Sequence, residues 1–380
     1  MKQTCENYCI ELIRAVMQEQ PVPEIPEGVT LQALFTFAKR HSVEALVYHG
    51  LEQLDMDEED PVWQNWCNRA QMILTQSIVQ LTDRDTIFEA LTAEGISLLP
   101  IKGCWLKEQY PEIDYRQMSD LDMFIRKEDR ASVCNKMKEL GYESVALTNK
   151  AVHDSYKKPP YTEVEMHFTL LKLEDSRHSY YDNIWEKAKP VDGMEHLYRM
   201  PVEDEYIYYI LHLEKHVLDA GIGIKAVLDS FMHRTCYADM DRDYLQNELE
   251  KLNVWELTKQ IEMLADCWFV IGEDIPEELK ELAGHILSDG AYGTEERMLE
   301  QRLKKLEERY KNPVIRHIVY WSSRTFLPRE EMECIYPILE KVPVLLPFCW
   351  IARLVMTCIR KPKTLLRQVK LAGKKGESNG

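Results

Sequence analysis

The sequence has no C-x-x-C pair, no H-E-x-x-H motif, no internal repeat and no excess of basic charge. Each absence removes a class of function. Ten cysteines are scattered along the chain, so neither a zinc ribbon nor a thioredoxin-like redox site is indicated. Most are flanked by apolar residues and read as reduced core thiols, which suits a cytoplasmic protein. Lys and Arg number 47 against 64 Asp and Glu, a formal net charge of −17. A nucleic-acid binder usually shows a basic face, so no general nucleic-acid binding is expected, although a local basic cleft is compatible with that total. The opening MKQTCENYCIELIRAV carries Glu6 and Glu11 where an export signal needs an apolar run, and none is read there. The nearest approach to a metalloprotease motif is LHLEKH: His212 and His216 share a helix face, but Glu214 stands one position late. They read as a partly buried histidine pair, with contact to a nucleotide or acceptor as the functional alternative.

What is present is a chain of 380 residues, 45% hydrophobic, enough for two or three domains. Residues 1–90 read as helical, in ENYCIELIRAVMQ and LQALFTFAKRHSVEALVYHGLEQL, with PVPEIPEG as a rigid loop between them. This N-terminal helical region carries no nucleotide or metal motif. Residues 91–188 alternate instead: GISLLPIKG as a strand, CWLKEQY as a short helix, SDLDMFIR as a strand, KEDRASVCNKMKELGY as an amphipathic helix, then AVHDSYKK and YTEVEMHFTLL as neighbouring strands or a hairpin. That order predicts a small mixed sheet with helices, an α+β catalytic domain. Residues 189–380 read as a C-terminal helical domain, with periodic stretches at 203–218, 243–270 and 295–321. Residues 342–359, VPVLLPFCWIARLVMTCI, are the most apolar in the chain. Their length falls near the lower limit of a membrane span, about 17–25 residues, and Pro343, Pro347 and Arg353 interrupt them. A core or interface helix is expected; because RKPKTLLRQVKLAGKK follows, peripheral membrane contact through 342–375 is the alternative.

The stretch RQMSDLDMFI poses the chemical question. Asp is depleted in strands, yet Asp120 and Asp122 sit two apart in an otherwise apolar strand. Side chains at i and i+2 share a face, and two carboxylates there repel unless a cation or proton lies between them. Hard oxygen ligands suit Mg²⁺ or Mn²⁺ with substrate phosphates. The plain alternative is a strand end whose aspartates face water or cap a helix. Three neighbours weigh against it. Glu163, Glu165 and His167 alternate along YTEVEMHF, so a glutamate completes a three-carboxylate cluster if that strand lies beside the first. PIKG leaves a strand into a helix, where Gly103 lets backbone amides approach an anion. Lys102 and Arg116 bracket the loop into the aspartates, and Arg116 can clamp a phosphate with its planar fork.

The order KG … YP … R-x-x-S-D-L-D-M-F-I … E-L-G-Y … V-E-M-H resembles the uncharacterised nucleotidyltransferase family of the DNA polymerase β-like superfamily, whose signature is an apolar residue, Gly, then Gly or Ser, an acidic pair on the next strand and a third acid on a later one. HSVEALVYHGLEQL and LHLEKH … GIGIKAVLD also look like this family, so the resemblance spans most of the chain. It implies a nucleotidyltransferase palm flanked by helical regions. Gly103 is then the signature glycine, Asp120 and Asp122 the metal pair, and Glu165 the third acid, since the family's third acid stands two residues before a histidine. Lys102, Gly103, Cys104, Arg116, Ser119, His167, His212 and His216 become the candidate nucleotide contacts. The sequence departs from the pattern at Cys104, where Gly or Ser is usual, and in a longer loop from Gly103 to Asp120. The activity implied is transfer of a nucleoside monophosphate from an NTP, ATP foremost, to an unidentified small-molecule or protein acceptor, with Mg²⁺ or Mn²⁺. The alternative, for which Cys104 is the hint, is a catalytically impaired nucleotide-binding regulator or an antitoxin-like partner protein. If the carboxylates only repel one another without metal, Asp122→Asn should raise the melting temperature of the metal-free protein.

Overall fold

The computed structural model describes residues 4–146, 152–172, 175–272, 274–291, 293, 306, 307, 309–336 and 338–360. They fall into two compact units. One is drawn from Met1–Val145, Val152–Val217 and Gly221–Tyr292, the other from Ala146–Ala151, Leu218–Ala220 and Gly293–Gly380.

The first unit is built round a seven-stranded mixed sheet. Its strands are β1 (Leu98–Pro100), β2 (Leu121–Ile125), β3 (Glu143–Ala146), β4 (His153–Lys158), β5 (Thr162–His167), β6 (Lys189–Val191) and β7 (Met194–Arg199), in the spatial order β3-β4-β5-β2-β1-β7-β6. The central position of β2 follows from its sequence: all five residues of LDMFI are buried, and a strand covered on both faces needs apolar side chains on both. It runs parallel to β5 and antiparallel to β1, with Asp122 beside Glu165 and Phe124 beside His167. The strands of residues 153–167 form the hairpin expected of them.

Alternation divides the core. Leu121, Met123 and Ile125 face one layer with Ile87, Phe88 and Leu91 of the helix Pro61–Thr92 and Val133 and Met137 of the helix Arg130–Glu139. Phe124, Leu99 and Ile101 face the other, packed on Tyr206, Ile207 and Ile210 of the helix Val202–Asp219. Burying each large apolar side chain contributes about 1.5–3 kcal/mol, which fixes the register and so the side on which Asp122 emerges. The Pro61–Thr92 helix starts where the sequence says it should: Asp60 accepts from the Val62 amide at 2.7 Å and Pro61 takes the first turn. A separate helical core joins Cys5–Met17, Leu31–His41 and Glu44–Leu51 to Ile224–Cys236, Trp255–Asp266 and Glu277–Asp289. Helices from the two ends of this unit therefore share one interior.

Two readings of the region after residue 190 need correction. Residues 189–199 are not helical: they form a hairpin whose second strand, β7, pairs parallel with β1 at Leu197 and Leu98. KPV is only three residues, and MEHLYR places polar and apolar side chains without a clear period-2 signal. The 243–270 stretch is two helices, Arg242–Lys251 and Trp255–Asp266, separated where Asn253 adopts a left-handed conformation (φ 57°) that Asn tolerates better than most residues.

The second unit contains the helices Pro313–Thr325, Arg329–Ile335, Ile338–Lys341 and Leu346–Arg360. Met332, Leu339 and Cys349 form its small core, and Trp350 donates to the Leu327 carbonyl at 2.9 Å. Phe348 and Ile351 of the apolar C-terminal segment stay largely exposed. Among the described residues no helix is long and apolar enough to cross a membrane. The basic continuation from residue 361, and the part of the 295–321 stretch before residue 306, lie outside the described residues.

Candidate active site

The chain leaves β1 through Ile101, whose amide donates to the Asp122 carbonyl at 3.0 Å. Lys102 then takes a backbone conformation rare for a side-chain-bearing residue (φ 53°, ψ −119°), the kind of strain that clusters at functional sites. The kink turns its ammonium to Asp122 Oδ1 at 2.6 Å. His167, on the neighbouring strand, meets the same oxygen through Nε2 at 2.7 Å. Among the described residues no donor reaches Asp122 Oδ2. Burial alone would raise the Asp122 carboxyl, but Lys102 and His167 outweigh it and hold it well below the usual range.

Asp120 stands just before β2, half-buried, with Ser119 Oγ donating to its Oδ1 at 2.7 Å. Burial and the neighbouring Asp122 raise its pKa. Glu165 lies between two histidines, 3.3 Å from His167 Nε2 and 3.4 Å from His153 Nε2. The His167 contact lowers its pKa. Burial lowers the pKa of His153, while for His167 the hydrogen bond to Asp122 overcomes burial and raises it. Asp120, Asp122 and Glu165 offer ligand atoms all within 4.8 Å of one another, and His153, Glu165 and His167 do the same. Three hard carboxylates at that spacing fit a divalent cation. Glu163 is outside the group and pairs with Lys157 at 3.0 Å.

Among the expected nucleotide contacts, Arg116, Lys102 and Cys104 have partners within the protein. Arg116 is buried in a two-pronged pair with Asp229, Nε to Oδ1 at 2.8 Å and Nη2 to Oδ2 at 3.0 Å; a buried carboxylate in reach saturates the fork that a phosphate would otherwise take. Lys102 is on Asp122 for the same reason. Cys104 is buried, donates from Sγ to the Asp122 carbonyl at 3.2 Å, and burial pushes its thiol up to about 12. It is a core residue. Gly103 opens a helix of only four residues. A Cβ there would overlap Arg116 Nη1 and stand 2.9 Å from Met118 Sδ, so the glycine makes room for the Arg116 guanidinium.

His212 and His216 bond to each other, Nε2 to Nε2 at 2.9 Å. Burial first, then the charge of Lys102, pushes His212 well below its ordinary value, which puts a neutral imidazole in the field of the site. Sequence reasoning missed His153 and Tyr208. The Tyr208 hydroxyl is pushed up to about 12 by burial, with Lys102, Asp122 and Glu165 all acting on it. It lies on the helix face one turn before His212, a spacing that the LHLEKH motif already offered. Lys107 was also missed: it is fully buried and donates to Ser77 Oγ at 2.9 Å and the Arg116 carbonyl at 2.6 Å. Burial pulls its pKa down to about 7.

The model of a family described as uncharacterised nucleotidyltransferase matches residues 27–270, more than half of the chain. No curated protein and no solved structure matches it.

Proposed function

The chain belongs to the uncharacterised nucleotidyltransferase family, and from that premise we propose that Asp120, Asp122 and Glu165 are the centre at which it moves a nucleoside monophosphate from an NTP to an acceptor hydroxyl. ATP is the nucleotide, Mg²⁺ or Mn²⁺ the ion and the cytoplasm the compartment in this reading. The supporting observation is the cluster itself: three carboxylates on adjoining segments with ligand atoms within 4.8 Å, one of which, Asp122, takes both its protein donors on a single oxygen. Asp120, Asp122 and Glu165 would hold divalent ions, which would supply charge stabilisation for the attacking and the leaving oxygen.

The acceptor oxygen bonds to the α-phosphorus, the bond from that phosphorus to the bridging oxygen of the β-phosphate breaks, and pyrophosphate leaves with the electron pair. The acceptor proton passes to Glu165 and then to His153, which burial keeps neutral and whose ring is about one-third exposed. Lys102 and His167 orient Asp122. Lys225, 3.7 Å from Asp229 and subject to the charge of Asp120, takes the triphosphate role first read into Arg116. Ser119 and the His212–His216 pair border the nucleotide. Calorimetry tests the reading: an NTP should bind with Mg²⁺ or Mn²⁺ and not with chelator. Equal affinity in both conditions would overturn it.

A further inference from the structure

A cavity of about 270 Å³ lies beside the loop that leads into Asp120. Ser119 is part of its wall, and the same Ser119 hydroxyl bonds Asp120. The remaining wall comes mainly from the Pro61–Thr92 helix and the loop before Asp120, with Lys39, Ser42 and Glu44 at its other side, all within the first unit. Its polar groups are held in place. Gln80, 1% exposed, donates from Nε2 to the carbonyls of Met118 at 3.2 Å and Tyr161 at 3.3 Å. Ser77 accepts from Lys107, which leaves its own proton to give. Glu44 is consumed by Arg69, at 2.9 and 2.8 Å, and by Gln117 at 2.8 Å. Lys39 then remains as a lining charge for which the described residues supply no carboxylate.

We propose that this cavity holds the acceptor, and that the acceptor is a small hydroxyl-bearing molecule with one acidic group, a carboxylate or a phosphate. The proposal rests on the transfer reading above. No aromatic ring lines the cavity, so it lacks the stacking plane on which bases bind, and the nucleobase belongs elsewhere. Its volume is just below the usual range of small-molecule pockets, about 300–1,000 Å³, room for one metabolite-sized group. Amides and hydroxyls read a polyhydroxyl surface, and Lys39, which stands over the Phe35 ring at 6.0 Å and meets no carboxylate among the described residues, selects an anion. The position beside Ser119 puts a bound hydroxyl next to Asp120.

The test uses the full chain with Mg²⁺, α-labelled NTPs and a cell extract ultrafiltered into macromolecular and small-molecule parts, the latter split by anion exchange. Label should move to the anionic small-molecule fraction. Prior phosphatase treatment abolishes that transfer if the acid is a phosphate and leaves it if a carboxylate. Lys39→Met, at an exposed position, should raise the KM for that fraction by roughly tenfold or more, the value of one charged hydrogen bond, with the KM for NTP unchanged. Label on protein, RNA or neutral molecules, no label on any fraction, or a Lys39→Met variant with unaltered acceptor KM would overturn the proposal. Metal-dependent NTP binding, measured on the same protein, shows separately whether the transfer reading itself has failed.

Discussion

Two buried aspartates, Asp122 and Asp229, sit in the same unit and are both held ionised, yet they are built differently. Asp229 is saturated: Tyr110 and Arg116 Nε donate to Oδ1 and Arg116 Nη2 to Oδ2, and burial is outweighed so that its carboxyl falls to about 2. A planar fork matches both oxygens of a carboxylate at once. Asp122 instead receives a lysine and a histidine, both on Oδ1. Lysine is a point charge and leaves the second oxygen to other ligands. The same residue type is thus architecture in one place and, in the proposed reading, a metal ligand in the other, and the number of occupied oxygens separates them.

The largest effect should fall on the saturated centre. Asp229→Ala strands the Arg116 guanidinium in the interior, and breaking one partner of a buried pair costs about 3–5 kcal/mol. Equilibrium urea unfolding should show that loss, and the double variant Arg116→Met with Asp229→Leu should recover most of it. A loss below about 1 kcal/mol, the scale of an exposed pair, would erase the distinction between the two aspartates.

At the open centre the expected effect is on activity, not folding. Glu165→Gln should abolish labelled nucleotide transfer while leaving the far-ultraviolet circular dichroism unchanged. Glu163→Gln should do little, because Glu163 lies outside the cluster and shares a half-exposed pair with Lys157 worth at most about 1 kcal/mol. If the two variants exchange behaviours, Glu163 is the ligand and the centre has been misassigned.

Asp122→Asn sharpens the comparison further, and here the structure reverses an expectation drawn from sequence. Repulsion alone implies that removing this charge stabilises the metal-free protein. Lys102 and His167, however, already neutralise Asp122, so the substitution leaves Lys102 with an amide in place of a carboxylate. The melting temperature should fall, with a loss of stability smaller than for Asp229→Ala, on the order of 1–3 kcal/mol, and Lys102→Met should restore part of the loss. A rise in melting temperature would mean that repulsion dominates after all.

The sequence carried much of this site in the spacing of its carboxylates. Period-2 alternation placed Glu165 and His167 on one face, and the parallel pairing of β2 with β5 put Asp122 beside Glu165. His153 was also within reach. A hairpin that turns at Pro159 and Pro160 sets Lys157 opposite Glu163, Ser155 opposite Glu165 and His153 opposite His167. Arg116 was read as a phosphate contact because its partner is remote: Asp229 lies 113 residues from Arg116, and pairing over that distance is set by packing of the helix Ile224–Cys236, which local pattern does not encode. For the same reason β7 was legible only once β1 was seen to need a second neighbour.

The smallest effect belongs to Asp120. Its protein partner is the neighbouring Ser119 hydroxyl, and both burial and Asp122 raise its pKa. A carboxyl with a raised folded-state pKa binds more protons folded than unfolded, so stability falls as pH rises from the ordinary value of 3.8 through the folded value. Asp120→Asn removes the charge without stranding a cation. The metal-free variant should therefore melt slightly above wild type at pH 7, with a gain in stability of a few tenths to about 1 kcal/mol, as expected when a functional site is relieved of stored repulsion. The gap should close as the pH is lowered toward the ordinary carboxylate range, where Asp120 is already neutral. With saturating Mg²⁺ the order should invert, because wild type gains a ligand-bound state that the variant binds less well. Thermal melts of both proteins with chelator and with Mg²⁺ measure all three outcomes. A variant that melts below wild type in chelator would show that Asp120, like Asp229, is held by its surroundings, and the open centre would shrink to Asp122 and Glu165.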